Sequence, residues 1–135
     1  MASICKQILI NAPAAHAWDA VRDVGALHER LVPGFVVDTT LEGDERVVTF
    51  ANGLVARELI VDIDDDAQRL AYAVVGGLFV HHHASVLVEP TGPSTSRITW
   101  TADLLPNDRA GAIDALMDAG AAAMQLSLAS APERR

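Results

Sequence analysis

The chain has 135 residues, half of them apolar, and its eighteen acidic against ten basic side chains leave a formal net charge of −8. That length supports one buried core without metal or disulfide staples, and the charge speaks against nucleic acid, whose phosphates are met by clustered lysine and arginine. The lone cysteine, Cys5, excludes an internal disulfide and a zinc site of several thiolates; with no basic-then-apolar leader and no apolar run of roughly 18 residues, the expectation is a soluble, cytoplasmic protein without membrane insertion.

In chain order, Ser3 to Asn11 reads as a first strand closed by Ala12 and Pro13. Proline suits the opening turn of a helix, where its missing N–H has no partner to lose. Ala14 to Arg22 therefore reads as a short helix with Trp18 and Val21 facing the core, and a second short helix is expected from Gly25 to Leu31, stopped by Pro33 and Gly34. Six strands follow over Phe35 to Leu41, Arg46 to Ala51, Val55 to Ile63, Arg69 to Val75, Val80 to Glu89 and Arg97 to Leu104. Their short polar or glycine-containing connections predict antiparallel hairpins. After Leu105 to Asp108 one long amphipathic helix is expected, ending near Ser130.

Alternation assigns faces to the last strands. Ile98, Trp100, Ala102 and Leu104 point one way and Arg97, Thr99, Thr101 and Asp103 the other. The preceding strand has the same parity, so Val80, His82, Ala84, Val86 and Val88 turn inward while His81, His83, Ser85 and Glu89 turn out. In the final helix Ile113, Leu116, Met117, Gly120, Met124 and Leu128 form an apolar stripe, with Asp114, Asp118 and Gln125 placed towards water. The small residues Gly120 to Ala123 either permit close approach to the sheet or leave room for a ligand. The expected fold class is α+β, a curved antiparallel sheet gripping the C-terminal helix.

Ile10-Asn11-Ala12-Pro13 with Ala17-Trp18, Asp23 to Leu27 before Pro33-Gly34, Glu58-Leu59-Ile60 leading to Asp64-Asp65, Tyr72 to Val75, and Trp100 before Pro106 follow one another along the chain. In this order they resemble the START-like (SRPBCC) helix-grip superfamily, specifically its polyketide cyclase/dehydrase and lipid-transport type, which also includes the plant abscisic-acid receptors. The resemblance implies one START-like ligand-binding domain over residues 1–131, with a flexible tail at 132–135. It implies seven strands around the long helix, two short helices after the first strand, and a pocket for hydrophobic ligand binding.

By position, the resemblance turns Val48, Phe50, Ala56, Glu58, Ile60, Tyr72, Val74, His82, Ala84 and Trp100 inward; the helix stripe adds Met117, Gly120 and Met124 to the expected ligand-binding set. The fourth strand disagrees, since Val55, Leu59, Val61 and Ile63 make its odd face the more apolar one. An apolar outer face there leaves room for a homodimer contact. The chain also has Leu31 where many relatives carry tryptophan before the Pro-Gly turn, and His82 where many carry tyrosine.

Glu58, His82 and Tyr72 are the catalytic candidates. A buried carboxyl could serve as acid, base or acceptor, a histidine could move a proton near neutrality, and a phenol could orient a ligand. The plainer alternatives are a strand glutamate paired with Arg46 or Arg57, a hydrogen-bonded core histidine, and a tyrosine that only packs. In the run His81 to His83 only the outer two share a face, and a third ligand from Glu89 or Asp103 would have to converge outside the core, so no metal is assigned. No phosphate-binding glycine loop, hydrolase elbow or calcium loop is present, and no cofactor is expected. The leading function is binding or transport of a small hydrophobic molecule such as a lipid, polyketide or aromatic compound. The alternative is a polyketide cyclase, aromatase or dehydratase-like enzyme, and a third is a regulatory module whose loops around Asn52-Gly53 and Gly76-Gly77 meet a partner.

Overall fold

A computed structural model describes residues 2–77 and 79–129. The expected tail at 132–135 and the last residues of the 1–131 domain lie outside the described residues.

Seven strands form one antiparallel sheet: β1 (Ala2–Ile10), β2 (Val36–Glu42), β3 (Glu45–Phe50), β4 (Val55–Asp64), β5 (Arg69–Val75), β6 (His81–Gly92) and β7 (Thr95–Leu105). Their spatial order is β1-β7-β6-β5-β4-β3-β2. Every step from β2 to β7 is a hairpin between neighbours in sequence, and only β1 crosses to pair with β7. Helix α2 (Ala110–Leu128) lies across the concave face, preceded by a 3₁₀ turn at Asn107–Arg109. Its apolar stripe packs through Met117, Gly120, Met124 and Leu128. Lys6, on the inner face of β1, reaches Asp114 at 2.7 Å and Asp118 at 2.9 Å, tying the helix flank to the sheet edge.

Helix α1 (Ala14–Arg22) buries Ala17, Trp18, Ala20 and Val21, the one-sided pattern its sequence predicts. It is anchored at the β4–β5 turn, where Asp65 accepts the Trp18 indole N–H at 2.9 Å and the Arg22 Nε–H at 2.7 Å. The expected second short helix over Gly25 to Leu31 is present as a 3₁₀ turn at Val24–Ala26 that runs into a single wide π-helical turn at Leu27–Leu31. That turn closes through Val32 N–H donating to the Leu27 carbonyl, five residues back. Leu41 packs so closely over Gly25 that a Cβ there would stand 2.8 Å from Leu41 Cδ1.

The strand parities mostly follow the alternation, with two departures. Val80 is 84% exposed and lies outside β6, which starts at His81, so its inward reading is wrong. The conflict in β4 is resolved by a bulge: the register slips between Ile60 and Asp62, leaving Val61 as the extra residue. Before the bulge the even residues Glu58 and Ile60 face inward, and after it Ile63 does, opposite buried Leu70. One added residue exchanges the two faces, which is why a single parity could not describe the strand.

Candidate functional site

The concave face is apolar over most of its area, yet two neighbouring strands put a charge on it. Arg46 of β3 and Glu58 of β4 are direct partners across the ladder. Both turn inward, and Arg46 Nε donates to Glu58 Oε1 at 2.7 Å. The arginine is 3% exposed and the glutamate 7%, so this ion pair is held inside the protein. Buried charges persist where each supplies the other's counter-charge. Arg46 Nη1 also donates to the Val24 carbonyl at 3.4 Å, and the guanidinium carbon stands 5.2 Å from the centre of the Tyr72 ring. That last contact is a cation–π arrangement.

Tyr72 extends the cluster. Its hydroxyl oxygen accepts the Trp100 indole N–H at 3.0 Å. Burial pushes the Tyr72 phenol well above its ordinary value, and the nearby Glu58 charge pushes the same way. The group therefore stays a neutral phenol. Among the described residues no side chain or carbonyl takes the hydroxyl's own proton, and Glu58 receives hydrogen bonds only at Oε1.

These four polar side chains line a cavity of about 60 Å³. Leu27, Leu31 and Val32 close it from the crossover segment, Phe35 just before β2 and Val36 at its first position, and Leu70 and Val86 from the sheet floor. Phe50 and Met124 complete the wall. Phe35 and Phe50 meet edge to face with centroids 5.4 Å apart, and both remain partly exposed, so these two rings stand between the cavity and solvent. The space is smaller than the ~150 Å³ that takes up benzene in an engineered apolar cavity. A guest of that size enters only if wall side chains move.

Gly120 explains the tightness. A Cβ at that position would stand 2.9 Å from Trp100 Cζ3 and 3.3 Å from Phe35 Cε2. The small-residue segment of α2 thus serves close approach of helix to aromatic rings, one of the two readings its sequence allowed.

Of the residues expected to bind ligand, Phe50, Glu58, Tyr72, Trp100 and Met124 line this cavity. Val48, Ala56, Ile60, Val74, His82, Ala84, Met117 and Gly120 stand outside its wall. Val48, Ala84 and Met117 are spent on core packing. His82 packs against Phe79, with ring centroids 4.8 Å apart, and its Nδ1 is buried with no partner among the described residues. Burial lowers the His82 pKa, with His81 and His83 adding in the same direction. So Glu58 and Tyr72 come together while His82 does not join them. Arg46 is a wall residue that the sequence marks only as a partner for Glu58; its signal is a basic residue on the inward parity of a strand that otherwise shows Val48 and Phe50. Arg57 turns outward to Glu42 and Glu45.

His81 and His83 stack on the outer face with centroids 6.5 Å apart and planes within 16°. Among the described residues no three metal-ligating side chains converge. No helix of the described residues is long and apolar enough to cross a membrane.

A family model described as polyketide cyclase / dehydrase and lipid transport matches residues 1–131. No curated protein matches the chain in sequence. Among solved structures it is similar to a protein from Thermobifida fusca, at 26% identity and a TM-score of 0.75, covering 96% of this chain and 91% of that one. It is also similar to a START superfamily protein from Mycobacterium smegmatis, at 13% identity and a TM-score of 0.73, covering 93% and 96%. A third likeness is to the di-domain ARO/CYC protein BexL of the BE-7585A biosynthetic pathway, at 17% identity and a TM-score of 0.79, covering 94% of this chain and 46% of that one. At identities this low the last two likenesses speak to fold.

Proposed function

The chain belongs to the polyketide cyclase/dehydrase and lipid transport family, and on that footing we propose that it binds a small hydrophobic molecule in the cavity between sheet and C-terminal helix. The observation that carries this reading is the composition of the cavity wall: apolar side chains throughout, with one compact polar cluster of Arg46, Glu58, Tyr72 and Trp100 on it. Sites of this make-up bind by burying the guest's apolar surface, at roughly 25 cal/mol per Å², while a few polar groups set its orientation. Entry is by displacement of the Phe35–Phe50 pair, whose rings are edge-packed and partly exposed.

Holding a guest is better supported than converting it. Proton transfer by Glu58, Tyr72 and His82 together would need the three in reach of one substrate, and His82 stands outside the wall. Glu58 is occupied by Arg46, and burial keeps the Tyr72 proton in place.

Titration with ethylbenzene, followed by methyl NMR, tests the reading. Saturable shifts are expected at Leu31, Val36, Leu70, Val86 and Met124, with Leu9 and Leu126 on the outside unmoved. Shifts confined to the outer surface, or none that saturate, would refute it.

A further inference from the structure

We propose, resting on the binding reading above, that this site selects a neutral guest with a carbonyl-type hydrogen-bond acceptor over a carboxylate of the same shape, with Trp100 as the residue that aims the Tyr72 hydroxyl. Two features of the polar cluster lead there.

The first is the direction of one proton. A phenol oxygen that accepts a hydrogen bond on one side directs its own O–H in the ring plane to the other side. Trp100 Nε1–H occupies one side of the Tyr72 oxygen at 3.0 Å. No protein acceptor among the described residues occupies the other, although Tyr72 itself is buried. The result is a donor fixed in direction, on the wall of the cavity, without a partner. A guest carbonyl is the group that completes it, because an unpaired buried donor is costly and a plain hydrocarbon leaves it unpaired.

The second is the state of the one buried cation on the wall. Arg46 Nε is taken by Glu58, Nη1 is directed to the Val24 carbonyl, and the guanidinium lies by the Tyr72 ring. Glu58 already supplies the counter-charge of Arg46, so a guest carboxylate taking the remaining guanidinium N–H groups would put two carboxylates on one buried cation. The pair is electrically closed, so an anion gains nothing from it.

Three probes of nearly equal shape separate these ideas: acetophenone, ethylbenzene and benzoate, each titrated at pH 7 against the whole chain. Acetophenone is expected to bind at least tenfold more tightly than benzoate. The carbonyl stretch of bound acetophenone should shift to lower frequency than in cyclohexane. Tyr72→Phe should weaken acetophenone by about three- to tenfold more than it changes ethylbenzene, the effect of one hydrogen bond, and abolish the low-frequency band. Trp100→Phe, which keeps a ring but removes the N–H, should split or broaden that band as the hydroxyl loses its fixed direction. Benzoate binding as tightly as acetophenone, or a wild-type band at its cyclohexane position, overturns the proposal even if Tyr72→Phe does not fold. Ethylbenzene binding alongside either result leaves the general binding reading standing; binding by none of the three overturns both.

Discussion

Arg46→Met is the perturbation with the largest consequence that can be worked from the structure. It removes the partner of a carboxylate that is 7% exposed, together with the hydrogen bond to the Val24 carbonyl and the contact with Tyr72. Breaking a buried pair on one side costs about 3–5 kcal/mol, because the other charge is left inside without compensation. A domain of this size has about 5–15 kcal/mol in total, so the variant would sit close to unfolding. With a urea dependence of about 1–3 kcal/mol per molar, the unfolding midpoint should fall by roughly 1–5 M. Glu58→Leu should cost a similar amount by stranding Arg46. The double variant Arg46→Met with Glu58→Leu should lie within about 1–2 kcal/mol of the wild type, since apolar side chains of similar volume replace both charges. Urea unfolding of the four proteins, followed by circular dichroism, closes the cycle. Additive losses, or single losses under about 1 kcal/mol as for an exposed pair, would refute the argument. Arg57→Met is the control: its partners Glu42 and Glu45 lie on the outer face, and the midpoint should hardly move.

His82 gives a pH dependence. Burial holds its folded-state pKa below the ordinary 6.5, so as pH falls the unfolded chain takes the proton first. Its contribution is complete above about pH 6.5 and is lost as pH falls through the lower folded value; thermal unfolding from pH 7.5 to 5.5 should show a steeper loss in the wild type than in His82→Gln, and equal slopes would count against it. In α2, Leu128 is 1% exposed and Leu126 is 83% exposed. Leu128→Ala should cost about 2–5 kcal/mol and Leu126→Ala less than about 0.5 kcal/mol, measured by the same urea titration; equal effects would contradict the helix orientation.

Alternation and turn residues sufficed to read the strand succession, the long final helix and the inward set Ile98, Trp100, Ala102 and Leu104, because side-chain direction in a strand is a local property with period two. The same rule failed in β4, where one bulged residue at Val61 exchanges the faces. It failed for Val80, whose apolar character did not keep it in a strand. At Leu27–Leu31 it located the short helix but not its type, which is a single π-helical turn.

Glu58 and Tyr72 were legible as inward polar residues, but their surroundings were not. The chain by itself determined which side chains could face the interior, since periodicity and burial free energy act on neighbours a few residues apart. Only the tertiary structure decided that Arg46 would neutralise Glu58 across a hairpin, that Trp100 would hold the Tyr72 oxygen from 28 residues away, and that Gly120 would bring the helix onto the rings. Those outcomes depend on strand register and helix approach, which are set by packing of the whole domain at ångström precision and leave no periodic trace in the residues themselves.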